Sequence, residues 1–474
     1  MTARSRPGAT LAVASVAVFM TAIDSSVLTT GIPSLRAEFG GTVGELEWTT
    51  NAYNLAFGCL LIVAAGLGDR LGRRLILTLG IGVFGVASIG GALAPTLGLL
   101  ITARAIQGAG AAAILPLTLT LVSSAYPGTA RARAIGIWSG VLAIGGVTGA
   151  IVSGALVQTA GWRGAFWINV PIAIVLVPLA WKAIAESRGP ARRLDPLGLV
   201  FAGLASLGVA WGLSASTSRG WLSPVVTAPL LVGCGILIAF AAWERHAAEP
   251  MMPPRLVKNG RFGAANFMTF SMWGSLSLCV FLTSQFFQIA QHTTPLVAGL
   301  RFSIWPLPVA LIPVLGGRLL ARTPRTVVIP VGMALHAVGL VGLALVITPT
   351  TSYIWIAIPM VVSGIGLGMC NGPIAAVAMS APPPELIGIA SGVTSTLRQI
   401  GAVLGVAIGV TVFANSGGSY KSPRAFTDGF VPALWAAAGI SLLGVVVASI
   451  ALLGQREYVH MTRLSPCSPI EPAP

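Results

Sequence analysis

The sequence predicts an all-α protein that crosses a membrane many times. Of its 474 residues, 55% are hydrophobic and only 9% are charged, and the mean hydropathy is +0.87. Most charged residues lie in short polar breaks between apolar runs of about 20 residues, the length that a helix needs to cross a bilayer. A soluble core does not require such runs, and a transmembrane barrel has short alternating segments instead.

We predict fourteen transmembrane helices in this chain. The first apolar run is long enough to cross the membrane and contains no small-residue cleavage site, so we expect it to remain as a span. An even number of spans places both termini on the same side of the membrane. The predicted spans are residues 10–32, 47–66, 75–95, 99–122, 134–158, 163–182, 196–215, 223–243, 263–287, 298–318, 327–347, 353–375, 387–413 and 430–453.

The distribution of Lys and Arg predicts which side that is. With the N-terminus in the cytoplasm, 20 of the 28 basic residues fall in cytoplasmic segments and six in outer segments, and Arg104 and Arg398 lie within spans. Cytoplasmic loops carry such an excess of basic residues, so we expect a multi-pass cell-membrane protein with both termini in the cytoplasm. The net charge of +15 is spread over small loops and does not indicate a nucleic-acid partner.

Two segments recur at the same offset along the chain, which indicates duplicated halves. Residues 135–140 (IGIWSG) match residues 387–392 (IGIASG), and Leu67, Arg70 and Arg73 match Leu319, Arg322 and Arg325. Parallel halves of this kind occur in transporters whose site lies between them near the bilayer midplane. We predict an N-terminal six-helix half at 1–182, a linker with two extra spans at 183–262, a C-terminal half at 263–455 and a cytoplasmic tail at 456–474.

Side chains that bind metals or perform catalysis are scattered along the chain. The five Cys and four His residues have no paired spacing. The sequence also contains no nucleophile with a base and no phosphate-binding loop. We therefore expect no enzymatic activity, no catalytic residues, no metal and no cofactor.

Asp24 is the acidic residue that lies deep inside an apolar run, in predicted span 1. A carboxylate at this depth is costly, which makes it a candidate functional residue. Burial disfavours the charged form and so favours proton uptake, and such a carboxyl can exchange a proton for a cationic substrate. The alternative is a structural ion pair or hydrogen-bond node inside the bundle. The sequence indicates no second buried acid.

Two Arg residues also lie within predicted spans. Arg104, in span 4, keeps its charge and needs an acceptor, which can be a backbone carbonyl, an anionic substrate or Asp24. It either takes part in coupling or orders the packing of the spans. Arg398, in span 13, either faces the cavity from the second half or extends to the lipid headgroups.

The loop between spans 2 and 3 reads AGLGDRLGRR (residues 65–74) and resembles the signature loop of the major facilitator superfamily. Five further segments resemble motifs of that superfamily or of its fourteen-span drug:proton antiporter branch. They are residues 23–33, 104–112, 145–154, 162–171 and 391–401. The resemblance extends from about residue 10 to 455 and implies two six-helix halves with two inserted helices.

The resemblance also implies roles for particular residues. In the family, the signature loop is a conformational switch, which corresponds here to Asp69, Arg70, Gly72, Arg73 and Arg74. The fourth-span Arg of the family, matched by Arg104, takes part in proton coupling. Gly145, Gly149 and Gly154 match the fifth-span antiporter motif and allow close helix contact, although Ala150 replaces its usual Pro.

From these features we expect proton-coupled export of a small hydrophobic drug or antibiotic by alternating access. The expected partners are the substrate, protons and the lipid bilayer, and the expected working unit is a monomer. Arg outnumbers Lys by 25 to 3, which is typical of the GC-rich genomes of antibiotic-producing bacteria and favours self-resistance. The alternatives are an uptake symporter for a small metabolite on the same fold and, less favoured, a non-transporting membrane sensor.

Overall fold

The computed structural model describes residues 7–126, 128–188, 223–246, 259–315, 323–382 and 387–464, with scattered residues between 201 and 215. These residues are helical and form no strand, which confirms the predicted all-α class. In chain order the helices are α1 (Pro7–Phe39), α2 (Val43–Leu71), α3 (Arg73–Ala92), α4 (Leu97–Ala125), α5 (Gly128–Trp167), α6 (Asn169–Ala183), α7 (Pro224–His246), α8 (Gly260–Ile289), α9 (Pro295–Ser303), α10 (Pro306–Leu315), α11 (Arg325–Val346), α12 (Tyr353–Ser380), α13 (Ile387–Asn415) and α14 (Pro423–Leu464).

The number of membrane crossings stays a prediction. In the described parts of the chain, ten helical stretches are long and apolar enough to cross a membrane, or eleven if the bent helix α2 counts as one crossing. One of the ten, Arg133–Ala183, has 51 residues, which at about 1.5 Å per residue is more than twice the thickness of a bilayer's hydrocarbon core. Helix α5 is broken at Gly161 (φ 68°, ψ 177°), so this stretch is long enough for two crossings and has a turn between them. Predicted span 7 (196–215) lies largely outside the described residues.

Some element boundaries differ from the prediction. The predicted span 298–318 forms two short helices, α9 and α10, because the chain turns at Trp305 and Pro306 starts a new helix without an N–H to donate. Helix α14 continues to Leu464, so the first part of the predicted tail is helical, and residues 465–474 lie outside the described residues.

The helices pack in two sets. In the first set, α1 packs on α5, α2 and α3 pack on α4, and α6 packs on α3; in the second set, α8 packs on α13 and α14, and α11 packs on α12. Contacts of α2 with α13, of α5 with α9 and of α1 with α8 join the two sets. We call the end of the bundle where α1 and α2 are connected the loop end. The exact domain limits at residues 182, 262 and 455 stay predictions.

Helices α3 and α4 approach each other closely because both carry glycine at their contact. A Cβ atom on Gly110 would lie 2.8 Å from the carbonyl oxygen of Gly80 and 2.9 Å from the backbone nitrogen of Phe84. A Cβ atom on Gly80 would lie 2.7 Å from the Cβ of Ala113. Since the atoms around Gly110 are backbone atoms, no change of side-chain rotamer makes room for a larger residue.

We predict that Gly110→Ala lowers the melting temperature of the purified protein in detergent micelles. The added methyl group pushes α3 and α4 apart, at a cost of about 1–3 kcal/mol. Gly82→Ala is the control, since Gly82 lies on the neighbouring helix α3 and an added Cβ there meets nothing within 4 Å. This control is expected to keep or slightly raise the melting temperature, because alanine favours the helix. Equal melting temperatures for the two variants would contradict the packing argument.

Candidate proton and substrate site

Asp24 is fully buried (0% exposed) in the middle of α1, and donors from two other helices bind its carboxylate. On α4, Arg104 Nη1 lies 2.5 Å from Oδ2 and Gln107 Nε2 lies 3.2 Å from Oδ1. On α6, Asn169 Nδ2 donates to Oδ1 at 2.8 Å. The carboxylate of Asp24 therefore joins α1, α4 and α6.

The guanidinium of Arg104 is also buried (1% exposed). Besides the contact with Asp24, its Nε donates to the carbonyl oxygen of Thr49 at 3.1 Å and its Nη1 to Gln107 Oε1 at 2.9 Å. Its Cζ lies 4.3 Å from the ring centroid of Tyr53. Of the acceptors that the sequence left open, the structure contains both Asp24 and a backbone carbonyl. These contacts offset the cost of removing a permanent charge from water.

Gln107 and Asn169 complete the site, and the sequence did not single them out. Gln107 Nε2 donates to Ser88 Oγ at 2.7 Å as well as to Asp24. Asn169 Oδ1 is buried and has no hydrogen-bond partner within the described part of the chain. Gln107 follows Arg104 by three residues and thus lies on the same helix face, which is the signal that would have found it. Asn169 offered no comparable signal.

Glu47 is a second buried acid, whereas the sequence indicated Asp24 alone. It is fully buried (0% exposed) near the start of α2 and accepts a hydrogen bond from Asn51 Nδ2 at 2.5 Å. Hydropathy places the start of predicted span 2 at residue 47, so Glu47 looked like a residue at the membrane surface. In the structure α2 begins four residues earlier, at Val43, because Thr42 and Glu45 form a capping box.

The predicted switch residues lie where α2 meets α3. Gly72 alone separates the two helices and has φ 127°, in the backbone region that favours glycine. Arg73 Nε donates to Asp69 Oδ1 at 2.8 Å, and Arg70 is exposed. The side chain of Arg74 lies over Trp181, with its Cζ 4.5 Å from the ring centroid.

Glu186, which the sequence did not indicate, caps the start of α3. Its Oε1 accepts a hydrogen bond from the backbone nitrogen of Arg74 at 3.0 Å, and its Oε2 accepts one from Leu75 at 3.3 Å. A negative charge at a helix N-terminus is stabilising. Because Glu186 follows α6, this contact ties the chain after the sixth helix to the turn between α2 and α3.

Arg398 lies apart from the Asp24 site. Its Cζ is 5.1 Å from the ring centroid of Trp273 on α8, within the second set of helices. The side chain is half-buried, and its Nε has no hydrogen-bond partner among the residues that the structure describes. The structure therefore does not bring Arg398 to the pair formed by Asp24 and Arg104.

The glycines of the predicted antiporter motif place α5 against helices of both sets. A Cβ on Gly145 would lie 2.7 Å from the Cβ of Ala22 on α1, and a Cβ on Gly154 would overlap the carbonyl oxygen of Pro295 on α9. Gly149, between them, is buried. This segment of α5 therefore packs on α1 and on the second set of helices at once.

An ion pair at the loop end ties α1 to the break in α5. Arg163 Nη1 and Nη2 donate to the two carboxylate oxygens of Glu38 at 2.7 and 2.6 Å, and Trp162 Nε1 donates at 2.9 Å. The hydrogen bonds from Arg163, followed by that from Trp162, lower the pKa of Glu38. The contribution of this ion pair to folding stability is present at neutral pH and is lost as the pH falls through the lowered pKa of Glu38. Because both side chains are exposed to solvent, this contribution is small.

A sequence profile of the Major Facilitator Superfamily matches residues 14–406. The chain belongs to the Major Facilitator Superfamily. This confirms the family that the motifs indicated. Two solved structures have the same fold: the POT family transporter PepTSo (TM-score 0.70, 14% identity, 95% of this chain and 98% of that chain) and a bacterial homolog of the lysosomal transporter Spinster (TM-score 0.69, 17% identity, 93% and 96%).

Three relatives within the superfamily are similar over most of their length. Multidrug resistance protein Stp of Mycobacterium tuberculosis is 32% identical, and the alignment includes 85% of this chain and 75% of the relative. Cephamycin export protein CmcT of Amycolatopsis lactamdurans is 32% identical, with 95% of each chain aligned. Puromycin resistance protein pur8 of Streptomyces alboniger is 31% identical, with 98% of this chain and 94% of the relative aligned.

As a Major Facilitator protein, the chain is a multi-pass membrane transporter for small molecules. Among residues with described positions, no group of three or more His, Cys, Asp or Glu side chains is arranged to hold a metal ion.

We predict that Arg104→Met lowers the free energy of unfolding by about 3–5 kcal/mol, because the buried Asp24 carboxylate loses its cation. Thermal unfolding in detergent micelles measures this loss. Arg70→Met is the control, since Arg70 is exposed, and its effect is expected to stay within about 0.5 kcal/mol. The double variant Asp24→Asn, Arg104→Met removes both charges and should recover most of the stability. A double variant as unstable as Arg104→Met would show that the unpaired charge is not the cause.

We predict that Gly72→Ala destabilises the protein more than Gly40→Ala. Both glycines have positive φ (127° and 69°), so both variants carry backbone strain, of about 1–3 kcal/mol. Only at Gly72 does the added Cβ also meet a carboxylate, 2.6 Å from Cδ of Glu186, whereas nothing lies within 4 Å at Gly40. Thermal unfolding of the two variants, repeated in a Glu186→Ala background, separates strain from collision. The difference between them should shrink in that background, and an unchanged difference would contradict the assigned role of Glu186.

Proposed function

We propose that this protein exports a small, largely apolar drug or antibiotic in exchange for protons, by alternating access of two six-helix halves. The observation that carries the proposal is the fully buried Asp24 carboxylate, held by Arg104 between helices of the first set. The names of the relatives, which refer to multidrug resistance, cephamycin export and puromycin resistance, support the substrate class and the direction.

Both protonation states of Asp24 have a hydrogen-bond partner in this site. The charged carboxylate accepts from Arg104, Gln107 and Asn169. When a proton binds Oδ1, that oxygen becomes a donor and needs an acceptor. The amide oxygen of Asn169 is buried and has no hydrogen-bond partner in the described structure. Rotation of this amide by half a turn exchanges its nitrogen for its oxygen, which then accepts the hydrogen bond from the protonated Asp24. A structural ion pair would have no need of this second arrangement.

Protonation of Asp24 also changes what holds α1 against α4. The charged pair attracts the two helices, and a neutral Asp24 leaves only hydrogen bonds between them. Arg104 then turns to its other acceptors, the Thr49 carbonyl and Gln107. Alternate making and breaking of the ion pair in this way links proton binding to a movement of the helices.

Other predicted residues take roles around this event in the proposal. Arg398 is the candidate coupling residue of the second half, and the turn containing Asp69, Gly72 and Arg73 acts as the conformational switch. Gly145, Gly149 and Gly154 seal the contact of α5 with both sets and restrict leakage. Both termini are cytoplasmic, the loop end is extracellular, and the working unit is a monomer. Self-resistance of an antibiotic producer is the biological context that we propose.

We predict that everted membrane vesicles containing the protein take up puromycin or a cephamycin when a pH gradient is imposed, and that Asp24→Asn reduces this uptake to the level of vesicles without the protein. Asp428→Asn is the matched control, since Asp428 is exposed on α14, and its uptake should equal that of the wild type. Equal gradient-driven uptake by wild type and Asp24→Asn would overturn the role of Asp24. Accumulation of the probes by intact cells, instead of by everted vesicles, would overturn the direction of transport.

A further inference from the structure

Arg398 is a permanent charge deep inside a membrane helix, and no described residue supplies an anion for it. It lies eleven residues after Ile387, where α13 begins, which is about 16 Å along the helix and roughly half the thickness of a bilayer's hydrocarbon core. The ion pairs formed by described residues do not include Arg398. Its Nε is buried and has no hydrogen-bond partner among them.

The other arginine within a predicted span, Arg104, shows what such a charge requires. It donates to a carboxylate, a backbone carbonyl and an amide oxygen inside the protein. Burial of a cation is costly unless acceptors of this kind compensate it, and a guanidinium cannot lose its proton to avoid the cost. Arg398 instead lies against the ring of Trp273 on α8, with its Cζ 5.1 Å from the centroid. The ring attracts the charge through its face, and the N–H groups of the guanidinium remain able to bind an acceptor.

Trp273 lies on the side of α8 that faces away from α11 and α14. Ser275 of α8 bonds to His336 of α11 at 3.0 Å, and Ser271 of α8 lies against Gly444 of α14. Each of these serines is two residues from Trp273, and two residues rotate the direction of a side chain by about 200° around the helix axis. The side chain of Trp273 therefore points away from the helices that the two serines contact.

The side of α8 that carries Trp273 meets the first set of helices at the loop end. Gln288, fifteen residues further and about 60° away around the helix, donates to the carbonyl oxygen of Thr30 on α1 at 2.9 Å. Residues 281–287 of α8 are all buried. In the middle of the helix, half-buried residues recur at helical spacing, namely Trp273, Leu276, Ser277 and Val280. This side of α8 is therefore closed at the loop end and accessible in its middle part.

Arg398 lies on the turn of α13 that contacts the first set. Thr396 Oγ1 donates to the carbonyl oxygen of Gly58 on α2 at 3.3 Å, and a Cβ atom on Gly58 would lie 2.7 Å from the Cβ of Gln399. The pair formed by Trp273 and Arg398 therefore lies beside the contact between the two sets, at mid-depth of its helices. Transporters with parallel halves bind their substrates at this kind of position.

We propose that Arg398 and Trp273 bind the anionic group of the exported substrate, a carboxylate or sulfonate joined to apolar rings. A guanidinium donates two parallel hydrogen bonds to such a group and supplies the opposite charge. The substrate then provides the acceptor that the described residues do not. The proposal rests on the proposed function because it concerns the exported molecule, and it deepens that function by naming the charge of the substrate.

Aromatic residues next to the pair fit the apolar part of this substrate. Phe270 precedes Trp273 by three residues of α8 and is half-buried. Its ring stacks on that of Phe267, with the centroids 6.4 Å apart, and Phe267 is exposed. Because each residue of a helix rises by 1.5 Å, the three rings extend over about 9 Å along α8. A molecule with an anion at one end and apolar rings at the other matches this arrangement.

Dye binding to the purified protein in uncharged detergent micelles tests the proposal without transport or a pH gradient. The probes are fluorescein, an anion, and tetramethylrhodamine methyl ester, a cation with the same fused-ring core, at a pH where both dyes keep their charge. Fluorescence anisotropy measures the dissociation constant of each dye. Wild type should bind fluorescein more tightly than the rhodamine. Arg398→Gln should weaken fluorescein binding roughly tenfold or more, because the charged hydrogen bonds are lost, and should not weaken rhodamine binding.

Arg424→Gln is the matched control, since it removes an exposed arginine at the start of α14, and it should bind both dyes as the wild type does. Equal fluorescein affinity in wild type and Arg398→Gln would overturn the proposal. A wild-type protein that binds the rhodamine as tightly as fluorescein would overturn it as well.

A second variant keeps the test decisive if Arg398→Gln does not fold. Arg398→Lys retains the charge, so it should still prefer fluorescein, with weaker binding because an ammonium group does not form the paired hydrogen bonds. A folded Arg398→Lys without that preference would count against the proposal. Dye binding that depends on Arg398, without vesicle uptake, would refute only the proposed function. Asp24-dependent uptake by a protein that does not prefer fluorescein would refute only the anion site.

Discussion

The buried contact between Asp24 and Arg104 is the interaction on which the arrangement of the first six helices depends. A pair of charges taken out of water is stabilising only when further hydrogen bonds satisfy the remaining atoms. Here Gln107, Asn169 and the Thr49 carbonyl supply those bonds. Four helices, α1, α2, α4 and α6, therefore share one electrostatic centre. A change in the charge of that centre acts on all four at once, which local packing contacts cannot do.

This centre is connected to the turn between α2 and α3 by backbone contacts. Helix α4 carries Arg104 and, one turn and a half further on, Gly110, whose backbone lies against α3 at Gly80 and Phe84. Helix α3 in turn begins at Gly72, where Glu186 caps its N-terminus. These contacts leave no space for side-chain adjustment between α3 and α4. Packed helices of this kind can carry energetic coupling between two sites when they have two discrete arrangements.

The fold class and the two central charges followed from the sequence for one physical reason. Long apolar runs permit only membrane helices, and a charge within such a run is costly enough to stand out. From the sequence, the pairing of Asp24 with Arg104 was one of several alternatives. Hydropathy locates the ends of a span only to within several residues, so it does not determine the depth of each side chain in the membrane. Asn169 and Glu186 escaped notice because neither a single amide in a span nor a glutamate in a polar segment is costly by itself. Glu47 was missed because hydropathy, which ignores capping, placed the start of α2 too late.

The two buried acids lie in different parts of the structure. Asp24 accepts from Arg104 inside the first set of helices, and Glu47 accepts from Asn51 near the start of α2. An ion pair attracts α1 to α4 only while both of its partners are charged. In the proposed cycle, a proton that binds Asp24 therefore acts directly on the contact between these two helices, and the hydrogen bonds of Gln107 and Asn169 pass this change to α4 and α6.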